Sequence, residues 1–195
     1  MDFYQIIAER FQGTIESIAM SVDEMAGPIA QGSELMSQVL LQDGRILCCG
    51  TGPDAALSQL FCGYLLHNPE QERPALPVFD LGASTGIVAC DEQSQLIASQ
   101  VRALGQEGDL LLLIDSSRHG NSMSSTIRAA RDQGMLIVAI SCNENNALAD
   151  VIEPGDAHIE VTADEQAQRI ELSTMALHSL GQLIELSLFG DYNQD

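Results

Sequence analysis

The run Leu110-Leu111-Leu112-Leu113-Ile114 is apolar at every position and only five residues long. A half-buried strand would alternate, and a surface helix would be apolar along one stripe. A bilayer span needs about 20 residues. The run therefore reads as a strand buried on both faces, as in the middle of a parallel sheet. Other short runs repeat the pattern: Arg45-Ile46-Leu47-Cys48-Cys49, Leu76-Pro77-Val78-Phe79-Asp80-Leu81, Met135-Leu136-Ile137-Val138-Ala139-Ile140 and Ala157-His158-Ile159-Glu160-Val161. Helical spacing fills the gaps. Leu57, Leu60, Phe61, Tyr64 and Leu65 share one such segment, residues 93–104 form a second, and residues 123–133 form a third that Gly134 stops. Strands alternating with helices predict right-handed βαβ units. The expected class is α/β: a three-layer sandwich with a parallel sheet of about five strands between helices.

The two ends of the chain are helical. Ile7, Phe11, Ile15 and Ile18 recur at helical spacing. A break is expected near residues 21–24. Met25, Ile29, Leu35, Met36, Val39 and Leu40 then continue a less regular pattern around Gly27-Pro28 and Gly32-Ser33. Residues 1–41 thus read as a helical hairpin available for oligomerisation. The last helix, residues 165–188, carries Ile170, Leu177, Leu180 and Ile184 on one face and Leu172, Met175, Leu183 and Leu186 on another. A helix apolar on two faces wants two partners, its own sheet and a neighbouring subunit. No linker, repeat or low-complexity tract divides residues 1–195, so a single domain is expected.

Charge narrows the partners. The chain has 28 acidic and 8 basic residues, a formal net charge of −20. Such a chain repels phosphate backbones, which disfavours direct nucleic-acid binding. Solubility or a basic protein partner would each account for the acidity. Neither a signal segment nor a membrane-length apolar run is present, so a cytoplasmic chain is expected. Cys48, Cys49, Cys62, Cys90 and Cys142 form no CxxC pair. They read as reduced, buried thiols, and neither a metal nor another cofactor is expected.

Two loops follow strands and lead into helices: Gly50-Thr51-Gly52-Pro53-Asp54 and the polar segment from Ser116 to Ser122. Backbone N–H groups and helix N-termini converge at such places, which suits phosphate. Ordinary βα turns use the same residues. Neither loop completes a dinucleotide or Walker signature.

Several motifs in one order carry a family resemblance. They are Gly50-Thr51-Gly52 after a strand, Glu72-Arg73-Pro74-Ala75-Leu76-Pro77, Val101-Arg102-Ala103-Leu104-Gly105 before Gly108-Asp109, Gly120-Asn121-Ser122, and Arg169-Ile170 opening the last helix. Together they resemble the sugar-isomerase (SIS) family, in the branch of the phosphoheptose isomerases and the DiaA replication factors. That resemblance implies a homo-oligomer, most simply a tetramer, with a sugar-phosphate pocket between subunits. Its phosphate-binding positions fall on Gly50, Thr51, Gly52, Ser116, Ser117, Gly120, Asn121 and Ser122. Asp54 stands beside them, and its charge would repel phosphate.

The catalytic positions of the isomerases fall on Leu60, Tyr64, Glu171 and Ser179. Leu60 can bind no metal, and neither Leu60 nor Tyr64 supplies a carboxylate base. His178, next to Ser179, is rotated about 100° away on the helix. The resemblance is therefore read as closer to DiaA. It implies a non-catalytic protein that binds the initiator DnaA through Leu188 and Phe189, the pair just past the last helix. The alternative is a phosphoheptose (sedoheptulose 7-phosphate) isomerase or a sugar-phosphate-binding regulator.

Overall fold

The computed structural model describes residues 2–69, 72–82, 93–118, 123–142, 148 and 150–190. Its elements run α1 (Phe3–Leu41), β1 (Ile46–Gly50), α2 (Pro53–Leu66), β2 (Val78–Asp80), α3 (Gln93–Leu104), β3 (Leu110–Asp115), α4 (Ser124–Asp132), β4 (Leu136–Cys142), β5 (Ala157–Val161) and α5 (Gln166–Phe189). Among the described residues the five strands are parallel, in the order β2-β1-β3-β4-β5. β3, apolar from Leu110 to Ile114 and ending in Asp115, lies at the centre and is buried throughout, as that apolar run requires.

Alternation within each strand sorts the core into two layers. Ile46, Cys48, Leu110, Leu112, Val138, Ile140 and Ile159 face α1, α2 and α5. Leu47, Cys49, Leu111, Leu113, Ile137 and Ala139 face α3 and α4. The edge strand β2 is shorter than the apolar run predicts. Pro77 has no N–H to donate, and pairing starts after it, with Ile46 N–H donating to the Pro77 carbonyl at 3.0 Å.

The expected N-terminal hairpin is not formed. Residues 3–41 make one helix, roughly 58 Å long at 1.5 Å per residue. Residues 21–24 contain neither glycine nor proline. Ser21 hydrogen-bonds back to the Ser17 carbonyl at 2.8 Å, which satisfies its hydroxyl without breaking the helix. Pro28 lies inside the helix. The second half is held by packing: Met25, Gly32, Met36 and Val39 are buried there. A Cβ on Gly32 would stand 3.3 Å from both Leu180 and Val138, so the small residue lets α1 lie close against α5 and β4. In the first half, Phe3, Ile7, Phe11 and Ile15 are exposed. This half is tied to α5 by polar contacts, Arg10 to Glu165 at 2.6 Å and Thr14 to Glu171 at 2.9 Å.

Candidate functional site

Chain order reverses between β1 and β3, and ligands of open parallel sheets bind beyond the strand ends at such a switch point. The turn after β1 is tight. Gly50 has no room for a side chain, since a Cβ would come within 2.5 Å of the Asp54 carbonyl. Gly52 adopts φ +59°, a conformation that glycine holds without strain. Pro53 then starts α2 at the position where a missing N–H costs nothing. The next two N–H groups turn back onto this loop, Asp54 to the Thr51 carbonyl and Ala55 to Gly52. Those donors are therefore spent within the turn.

Asp54 joins the two loops. It is 3% exposed, and its Oδ2 accepts the Ser116 N–H at 2.9 Å. Arg169 Nε donates to the Ser116 carbonyl at 2.8 Å, while its Nη1 holds the carbonyls of Ala163 and Asp164. Ser116 thus links α2, β3 and α5. Burial pushes the Asp54 carboxyl up to about 6. The Ser116 N–H and hydroxyl favour the charged form, Asp115 opposes it, and Arg169 favours it more weakly. That hydroxyl makes no well-formed hydrogen bond. Asp54 Oδ1 and Ser116 Oγ are both buried without a partner among the described residues. Ser117 donates its N–H and hydroxyl to Asp115. Asp80, ending β2, accepts the Ser58 hydroxyl at 2.6 Å. The strand ends therefore present three carboxylates, Asp54, Asp80 and Asp115, with the guanidinium of Arg169 beside Ser116.

The structure thus brings together Gly50, Thr51, Gly52, Ser116 and Ser117. Gly120, Asn121 and Ser122 lie outside the described residues. Sequence reading identified Asp54 only as a repulsive charge and missed its bond to Ser116. The two residues are 62 apart in the chain, and only the β1–β3 pairing juxtaposes them.

The other singled-out positions do not converge within one chain. Leu60 is 47% exposed on α2. Tyr64 donates its hydroxyl to Glu185 Oε2 at 2.8 Å, and its ring fills the space beside Gly181. Glu171, bonded to Thr14, is ten residues before Gly181, roughly 15 Å along the helix. Ser179 lines a groove of about 350 Å³ between α1 and α5, together with Ile18, Met25, Ile29, Leu172 and Met175. His178, rotated away from Ser179 as expected, is exposed on the outer side of α5. These positions do not suit a metal: Leu60 has no donor atom, and the described residues contain no cluster of three His, Cys, Asp or Glu side chains.

Two further polar sites were not anticipated. Glu185 is buried and accepts from Tyr64, from Asn68 at 3.0 Å and from Arg73 Nε at 2.6 Å. Burial alone would raise its carboxyl, but these three partners outweigh it and hold the group below the usual range. A glutamate on the apolar side of α5, next to Ile184, was the available signal. Ser141 and His158 pair at 2.7 Å across β4 and β5. Burial lowers the His158 pKa against the pull of Glu160.

The resemblance places Leu188 and Phe189 on a partner-binding surface. They are instead half-buried and packed on the core layer that includes Ile184. Their helix continues to Phe189, so both side chains follow its inner face.

A family model described as SIS domain matches residues 10–142. The chain belongs to the SIS domain family. The phosphoheptose isomerase of Azoarcus sp. (strain BH72) is 35% identical over 194 residues, covering 97% of this chain and 98% of that protein. The phosphoheptose isomerase of Alkalilimnicola ehrlichii is 34% identical, covering 97% and 99%. Among solved structures, a phosphoheptose isomerase from Francisella tularensis superposes on this SIS chain with a TM-score of 0.86 at 28% identity, covering 94% and 98%. These matches place the protein in the subfamily of the phosphoheptose isomerases and DiaA. They also overturn the expectation of a non-catalytic DnaA-binding protein, since these full-length relatives are isomerases by name. The nearer likeness to DiaA has no support from them.

Proposed function

We propose that this SIS protein binds a phosphorylated ketose at the β1–β3 switch point and interconverts it with the aldose, as a phosphoheptose isomerase does. The full-length match to such isomerases carries the reading, and the converging loops of Gly50 and Ser116 support it. Isomerisation moves a proton between adjacent carbons and needs a base and an acid on either side of the open-chain sugar. By resemblance Tyr64 stands at the family's glutamate position and Ser179 at its histidine position, so Glu171, at the glutamine position, is the one carboxylate of the set and Tyr64 its phenol. Within one chain they lie too far apart to serve one substrate, so the reaction requires a second protomer. The exposed apolar stripe of α1 supports such a homo-oligomer, a tetramer by resemblance.

A second reading is that the protein binds a sugar phosphate and does not turn it over. Leu60 and Tyr64 favour it, because one offers no proton and the other is engaged with Glu185. Incubation with sedoheptulose 7-phosphate, with and without added zinc, separates the two when product is followed by NMR. Turnover within roughly 1–10³ per second supports the isomerase. Saturable binding without turnover supports the regulator.

A further inference from the structure

Resting on the sugar-phosphate reading, we propose that Asp54 makes this site selective for a protonated phosphate monoester: its buried Oδ1 accepts the P–OH hydrogen of a monoanionic phosphate seated against Ser116. Four observations support this. First, Asp54 is 3% exposed, yet Oδ1 has no donor among the described residues, and a buried carboxylate oxygen left unmatched is costly. Second, Oδ2 is already held by the Ser116 N–H at 2.9 Å, so turning the carboxylate away from an incoming anion would break that bond. Third, the Ser116 hydroxyl is buried beside the Asp54 carboxylate without a well-formed hydrogen bond among the described residues, so it can swing to donate to a phosphate oxygen that bears no proton. Fourth, the surrounding charge disfavours a dianion. Asp115 on β3 and Asp80 on β2 are acidic, and Arg169 on α5 spends three N–H groups on carbonyls.

A carboxylate facing a fully ionised phosphate repels it. One proton between them turns that repulsion into a charge-assisted hydrogen bond. Both partners can give up or take that proton near neutrality. The second ionisation of a phosphate monoester lies near 6, and burial has raised the Asp54 carboxyl to the same range. Asp115 pushes the proton onto Asp54, and Arg169 draws it off. Above pH 6 both groups are ionised when apart, so binding takes up one proton. A sulfate has no proton to share at that pH and is rejected.

Calorimetry with sedoheptulose 7-phosphate at pH 7.5, in two buffers of different ionisation enthalpy, reads the proton directly. Wild type is expected to take up about one proton per ligand, and its Kd to weaken about tenfold per pH unit above roughly 6.5. Asp54→Ser and the near-isosteric Asp54→Asn are expected to bind without proton uptake, more tightly than wild type at pH 8, and to admit inorganic sulfate. Melting curves verify that both variants fold. Wild-type binding with no proton uptake, or weaker binding in both folded variants at pH 8, overturns the role of Asp54. If wild type and both variants bind no sugar phosphate at any pH from 5.5 to 8.5, the sugar-phosphate reading itself fails and this inference falls with it.

Discussion

Asp54 is the residue whose cost to the fold is most easily measured. Its carboxyl sits at about 6 in the folded protein against 3.8 for an unperturbed aspartate. The native state therefore binds this proton more tightly than the unfolded chain does. Stability contributed by the protonated form is present below pH 3.8 and is lost as pH rises through 6. Asp54→Asn removes the titration and keeps the shape. At pH 7.5 the variant should be more stable than wild type by on the order of 2–3 kcal/mol, since each tenfold difference in proton affinity between the two states is worth about 1.36 kcal/mol. At pH 3.5 the two should coincide. Urea unfolding at both pH values checks this, and equal stability at pH 7.5 would show that the carboxylate is not penalised.

Elements are held together by a few buried polar contacts, of which Arg73–Glu185 is the most consequential. Arg73 Nη1 and Nη2 cap the carbonyls of Leu65 and Tyr64 at the end of α2, while its Nε holds Glu185 on α5. Its side chain is 1% exposed. Arg73→Ala would strand the Glu185 charge and free the end of α2. The expected cost is about 3–5 kcal/mol, as when one member of a buried pair is removed. The sign with pH is opposite to that of Asp54. Glu185 has a lowered carboxyl, so its contribution is present above the ordinary 4.5 and is lost as pH falls through the folded value. Thermal melting of Arg73→Ala should show the loss at pH 7 and a smaller gap to wild type in acid. An unchanged melting temperature at pH 7 would mean that α2 and α5 are held by apolar packing alone.

For the whole molecule, the first half of α1 is the unfinished part. Phe3, Ile7, Phe11 and Ile15 expose between 57% and 71% of their surface along one stripe. An apolar patch of that kind is costly in water and marks an interface. A second copy of the chain is the proposed cover, and light scattering should give a particle of two or four 21.0 kDa chains. Phe11→Asp with Ile15→Asp should reduce it to monomers while leaving the sheet intact by circular dichroism. If isomerase activity is found, it should disappear with the oligomer. A wild-type monomer at micromolar concentration would rule out the assembly.

Local pattern determined a large part of this protein. Runs such as 110–114 can be satisfied only by burial on both faces, so the parallel sheet and its central strand were legible from composition and spacing. Gly50 and Gly52 marked the turn after β1 because backbone crowding and a positive φ leave little alternative. Tertiary structure decided the rest. A strand with Pro77 before it reads apolar yet pairs only from Val78, because pairing depends on a neighbour's donors. The break expected near residues 21–24 does not occur, because Ser21 bonds back to the Ser17 carbonyl and both Ser21 and Met25 are buried on the packed side of α1. The link between Asp54 and Ser116, and that between Arg73 and Glu185, span 62 and 112 residues. A contact at that separation leaves no periodicity in the sequence, because its partners meet only when the sheet order and the helix docking are set.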